Sequence, residues 1–170
     1  MSLNQYLQDS ADLIRQTATP EIVGHVEQAI GTITTALAAD HPLLVCGNGG
    51  SAADAMHIAG ELVGRFLKER RALNCRALNA DPVILTAWSN DYSYETVFSR
   101  QVEAYGRVGG VLLGISTSGN SANVLKAAGA AKAKGMTVIG LTGQGGGKLG
   151  PLCDILIAAP SRHTPQIQQI

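Results

Sequence analysis

His57 and Glu61 stand four residues apart, with Arg65 four further on, so on a helix the three side chains share one face. An imidazole and a carboxylate in that relation can do two kinds of work. The carboxylate can move a proton as a general base, or the pair can reach one metal ion, although two ligands alone do not make a zinc site. A solvated stripe with an ordinary Glu61–Arg65 pair is the plainer account. The surroundings weigh against it: the stripe starts at Cys46-Gly-Asn-Gly-Gly-Ser51, whose glycines let the backbone turn tightly and bring amides up to an anion. Ala, Met, Ile, Leu and Val occupy much of the remaining helix surface.

A second segment repeats the design. Ser116-Thr117-Ser118-Gly119-Asn120-Ser121 places three hydroxyls and a glycine before a helix whose N-terminus favours phosphate. A well-capped turn is the bland account of either loop taken singly; Ser51, with Asp54 three residues on, is expected to form a capping box. Two such loops at neighbouring strand ends argue for a shared anion. No G-K-[ST] follows either loop, which disfavours nucleotide hydrolysis. The first loop also satisfies the dinucleotide fingerprint G-x-G-x-x-A, a weak pattern alone. Asp81, its only offer of a ribose-binding acid, lies about thirty residues on where about twenty is usual.

These loops need a scaffold, and the chain alternates accordingly. Two helices open it, Leu3 to about Gln16 and a run to Ala38 begun by Thr19-Pro20-Glu21, which reads as N-cap, N1 proline and early acid. Strands follow at 42–46, 75–78, 110–115, 137–141 and 155–158. Between them lie helices at 51–66 and 121–134, with helical turns over 81–88 and 94–105. Strand–helix alternation predicts a parallel five-stranded sheet in an α/β three-layer αβα sandwich with right-handed crossovers, preceded by an α-helical hairpin and forming one domain over residues 1–170. Ligands then bind beyond the carboxyl ends of the strands, which brings the loops at 47–51, 116–121 and 142–147 into play.

Composition narrows the classes. Thirteen basic residues cancel thirteen acidic ones among 170, so no global field collects polyanions and a nucleic-acid partner is not expected. The N-terminus lacks the pattern of a signal peptide, and no apolar run reaches the roughly 18 residues of a membrane span, so a soluble, cytoplasmic protein without a membrane partner is expected. Cys46, Cys75 and Cys153 are odd in number and widely spaced, which fits buried structural thiols rather than disulfides or a thiolate zinc site.

Cys46-Gly-Asn-Gly-Gly-Ser51, Asp54-Ala-Met-His57, Glu61, Asn90-Asp91, Phe98-Ser-Arg100 and Leu113-Gly-Ile-Ser-Thr-Ser-Gly-Asn-Ser121 together resemble the phosphoheptose isomerases of the sugar isomerase (SIS) domain superfamily. The resemblance runs from about residue 40 to the last residue. It implies a flavodoxin-like SIS fold and an aldose–ketose isomerase that converts sedoheptulose 7-phosphate to D-glycero-D-manno-heptose 7-phosphate, the entry to bacterial heptose for surface polysaccharide. It also implies roles. Asn48, Gly49, Gly50 and Ser51 line the sugar site; Ser116, Thr117, Ser118 and Ser121 hold phosphate; Asn90, Asp91 and Gln168 contact substrate; Glu61 is the base. Where the family carries zinc, the matching ligands are His57, Glu61 and Gln168, together with a later His on a C-terminal helix; this chain ends at Ile170, and the chain as given is therefore expected to bind zinc weakly and turn over poorly. Gly60 and the glycine-rich Gln144–Gly147 depart from the family pattern without touching this chemistry. A homotetramer is the family expectation, with the apolar face of the N-terminal helices as contact surface. The competing implication is a non-catalytic SIS scaffold that binds a replication initiator, and Glu61 argues against it because such scaffolds do not keep Glu at the base position.

Overall fold

The computed structural model describes residues 2–170. Helices α1 (Leu3–Thr17) and α2 (Pro20–Ala38) open the chain. Thr19 caps α2 as its composition requires, its hydroxyl accepting from the Ile22 amide at 3.3 Å. Strands β1 (Leu43–Cys46), β2 (Cys75–Ala77), β3 (Val111–Ser116), β4 (Thr137–Thr142) and β5 (Ile155–Ala158) form one parallel sheet in the order β2-β1-β3-β4-β5. Between them run α3 (Gly50–Val63), α4 (Pro82–Asp91), α5 (Val97–Tyr105) and α6 (Ala122–Ala133), with a short α7 (Thr164–Ile167) near the end.

The strands alternate their side chains between two cores, as period two demands. Leu43, Val45, Val111, Leu113 and Ile115 join Ala29, Leu37, Ala55 and Ala59 of α2 and α3 on one face. Leu44, Cys46, Leu112 and Val138 join Phe98, Val102, Val124 and Ala127 of α5 and α6 on the other. The αβα sandwich expected from the alternation is therefore present. Chain order reverses between β1 and β3, and loops diverging there open a crevice at the strands' carboxyl ends.

One local boundary differs from expectation. The third helix stops at Val63, short of the expected Phe66, because Arg70 folds back and its guanidinium donates to the carbonyls of Glu61 (2.8 Å) and Leu62 (2.9 Å), closing the helix end. The two opening helices precede the sheet as expected, and much of their apolar surface is uncovered: only Leu13 of α1 is buried, while Leu3, Leu7 and Ile14 lie exposed, as do Val23 and Ile30 of α2. Among the described residues no helix is long and apolar enough to cross a membrane. The three thiols are free; burial pushes Cys46 up to about 12 and Cys75 and Cys153 up to about 11, so all three stay protonated and inert at neutral pH.

Candidate active site

Both loops singled out in the sequence lie at the crevice. Gly49 takes φ +58, a conformation that starts α3 at Gly50 with Gly49 as cap. The expected Ser51 capping box is consequently absent: Ser51 sits inside the first turn, buried, and no side chain caps this helix. The other helix end is similar. Ser121 caps α6 by position only, since its hydroxyl is paired with that of Ser116 at 2.9 Å. Two helix N-termini without side-chain caps thus flank the crevice, each carrying partial positive charge, although the Ser51 and Ala52 amides of α3 already donate to the Asn48 (3.1 Å) and Gly49 (3.0 Å) carbonyls and the Val124 amide of α6 to Asn123 Oδ1 (3.0 Å).

The phosphate-type loop is rigid. Gly119 has φ +64, and a Cβ there would collide with the carbonyl oxygen of Gly146. The amide of Leu149 donates to Gly119 at 2.9 Å, and that of Lys148 to Asn120 Oδ1 at 3.1 Å. The glycine-rich run after β4 is therefore the wall against which the Ser116–Ser121 loop is moulded. Ser116 is buried, Thr117 and Ser121 half-buried and Ser118 exposed.

On α3, His57 Nε2 and Glu61 Oε1 lie 3.6 Å apart, beyond hydrogen-bond length. Arg65 does not pair with Glu61; past the helix end it turns to Glu69 at 2.7 Å and leaves the carboxylate free of a cationic partner on that side. A cavity of about 640 Å³ opens beside this face, lined at one end by Ser51, Asp54, His57, Thr117 and Gln168 and elsewhere mainly by apolar residues of α1, α2, β3, β4 and β5, with Glu27 of α2 among them. Gln168 reaches the glycine loop, close enough that a Cβ at Gly50 would collide with its amide. Glu61 stands one turn beyond His57, outside the cavity lining. Asn90 and Asp91, at the end of α4, are exposed, bonded to each other at 3.0 Å, and likewise outside it.

The metal reading meets a short donor set. Among the described residues no third His, Cys, Asp or Glu joins His57 and Glu61, and the Gln168 amide lies at Gly50, seven positions before His57. Tetrahedral zinc takes four ligands, so these residues do not by themselves fit the ion. Asp81 is occupied otherwise: its carboxylate caps α4, accepting from Val83 (2.9 Å) and Ile84 (3.0 Å), which removes the candidate ribose contact.

Sequence reading missed three residues that build the site. Asn79, just after β2, brackets Gly47 by accepting from its amide (3.3 Å) and donating to its carbonyl (2.6 Å). Asn123, in the first turn of α6, exchanges two bonds of 2.9 Å with Asn48. Tyr94, on a single 3-10 turn at Tyr94–Thr96, donates to Asn48 Oδ1 at 2.9 Å. A polar residue directly after a strand or inside a buried first turn was the available signal for the two asparagines; Tyr94 carried none.

Comparison with known proteins follows the same lines. The family model described as the SIS domain matches residues 5–143. The phosphoheptose isomerase of Rhodospirillum rubrum is 57% identical over 145 residues, covering 85% of this chain and 77% of that protein. That of Crocosphaera subtropica is 48% identical over 168 residues, 99% of this chain and 86% of the relative. The solved phosphoheptose isomerase of Neisseria gonorrhoeae superposes with a TM-score of 0.92 at 42% identity, over 98% of this chain and 89% of that one.

Proposed function

From the premise that this chain belongs to the SIS domain family, among its phosphoheptose isomerases, we propose that it interconverts sedoheptulose 7-phosphate and D-glycero-D-manno-heptose 7-phosphate at the crevice between β1 and β3. The observation that carries the proposal is the convergence of two N-termini without side-chain caps, α3 and α6, on a crevice beside which α3 presents His57, with Glu61 one turn further along the same helix. A phosphate is met at the Ser116–Ser121 loop by hydroxyls and helix amides without any net charge on the protein. The sugar then runs toward the glycine loop and the face of α3.

Isomerisation removes a proton from the carbon beside a carbonyl, passes through an enediol and returns the proton to the neighbouring carbon. Glu61 is the proposed proton carrier, its carboxylate unpaired with Arg65 and next to His57. His57, 3.6 Å from the Glu61 carboxylate, is the hydrogen-bonding group proposed for the developing oxyanion. The arrangement is more than a scaffold requires, because a binding module has no use for a carboxylate on the face behind the phosphate loop. Assembly as a tetramer through the exposed apolar residues of α1 and α2 is part of the same proposal.

Incubating the protein with sedoheptulose 7-phosphate and following the aldose product tests the reading. Formation of D-glycero-D-manno-heptose 7-phosphate at an enzymic rate is expected; a protein that binds the sugar phosphate and leaves it unchanged would be a scaffold instead.

A further inference from the structure

The Asn48 side chain has little left to offer a ligand. Its Oδ1 accepts from both Tyr94 Oη and Asn123 Nδ2, each at 2.9 Å, which fills both acceptor positions of a carboxamide oxygen. Its Nδ2 donates to Asn123 Oδ1 at 2.9 Å, leaving one N–H unused. Asn123 itself is 4% exposed, and its Oδ1 also accepts from the Val124 amide at 3.0 Å. The two carboxamides form a closed reciprocal pair across 75 sequence positions. In such a poorly hydrated setting a satisfied pair is strong and an unsatisfied one costly.

We propose that Asn123 is a positioning residue: by gripping the Asn48 carboxamide it locks the glycine loop after β1 to the start of α6. Consequences follow from what stands on either side of the joint. Asn123 lies two residues after Ser121, the end of the phosphate-type loop, and Asn48 lies two residues before Gly50, where the helix bearing Glu61 begins. The joint therefore fixes the distance between the phosphate anchor and the proton carrier. Asn79 holds the backbone of Gly47 from the β2 side, so the loop is pinned at both backbone and side chain. Tyr94 closes the pair from the solvent side. Proton transfer tolerates little play, since displacement by about 1 Å can cost on the order of 100-fold in rate.

This inference rests on the isomerase reading of the site, and its test separates the two. With sedoheptulose 7-phosphate, Asn123→Ala is expected to lower kcat at least about tenfold while KM, and inhibition by inorganic phosphate, stay within about twofold, because the phosphate hydroxyls are untouched and only alignment is lost. Tyr94→Phe should lower kcat by itself and add nothing in the Asn123→Ala background, since Asn48 is already released there. Unchanged kcat, a loss confined to KM and phosphate inhibition, or losses that multiply in the double variant would each overturn the proposal. Should Asn123→Ala not fold, Tyr94→Phe at its exposed position carries the test, and wild-type kcat in that variant overturns it. A second arm needs no turnover: the Asn48 side-chain amide hydrogen that bonds Asn123 Oδ1, followed by NMR, should be protected from solvent exchange in the wild type and lose protection in Asn123→Ala. Protection in a protein that does not isomerise the substrate would reject the function and uphold the joint, whereas rapid exchange in the wild type would reject the joint alone.

Discussion

Glu61 can be tested with one atom changed. Glu61→Gln keeps shape and most hydrogen bonding while removing the basic carboxylate, so turnover should fall at least about a hundredfold with little change in melting temperature, the usual scale for a general base. Turnover retained in that variant would take the carboxylate out of the mechanism. Ser118 addresses the other end of the substrate. Its exposed hydroxyl accepts from the Asn120 amide at 3.1 Å and keeps its own hydrogen for a ligand. Ser118→Ala should weaken binding of the phosphosugar by about 1.5–3 kcal/mol, the scale of a hydrogen bond to a charged group, and leave the unphosphorylated heptulose unaffected. Equal weakening of both in calorimetry would move the phosphate to another loop.

At the scale of elements, the phosphate-type loop and the glycine run after β4 behave as one piece. Gly119→Ala would add a left-handed backbone penalty to a collision with the Gly146 carbonyl, and a loss on the order of 2–4 kcal/mol is expected in denaturant unfolding. A near-neutral variant would mean that the two loops move apart freely. The join between β4 and β5 has a pH signature. Asp154 accepts from the Val138 amide at 2.8 Å and from Lys132 at 3.0 Å; burial pulls its pKa upward, but these partners outweigh it and hold the carboxyl below its ordinary 3.8. A carboxyl with a lowered folded pKa contributes stability that is whole above the unfolded value and is lost as pH falls through the folded one. Melting temperature should therefore drop on acidification below about pH 4, and less steeply in Asp154→Asn. An identical acid limb in the variant would remove Asp154 from the acid response.

For the molecule as a whole, the exposed apolar residues of α1 and α2 are the feature to account for. Leu3, Leu7 and Ile14 recur on α1 at intervals that share a helix face, and Val23 and Ile30 lie exposed on α2. Such a run left in water is costly, and the proposed association between copies would remove it. Light scattering should report a mass near four chains for the wild type and a smaller species for Leu7→Lys combined with Ile14→Lys. A tetramer that survives both lysines would place the contact on another surface.

The sequence by itself determined the architecture, because alternation of apolar strands with helices leaves few ways to bury both faces of a sheet, and Thr19-Pro20 marks a helix start through local chemistry alone. It also located both loops and the His57–Glu61 face, since periodicity and glycine spacing are short-range properties. Only the tertiary structure decided which polar groups remain free. Ser51 lost its capping role to the left-handed Gly49, and Arg65 went to Glu69 once Arg70 had closed α3. Asn48 became an anchor because Asn123 and Tyr94 arrive from distant parts of the chain. Hydrogen-bond partners separated by 75 positions leave no local trace in spacing or composition, so a side chain's remaining capacity to bind is settled only when the fold brings its neighbours together.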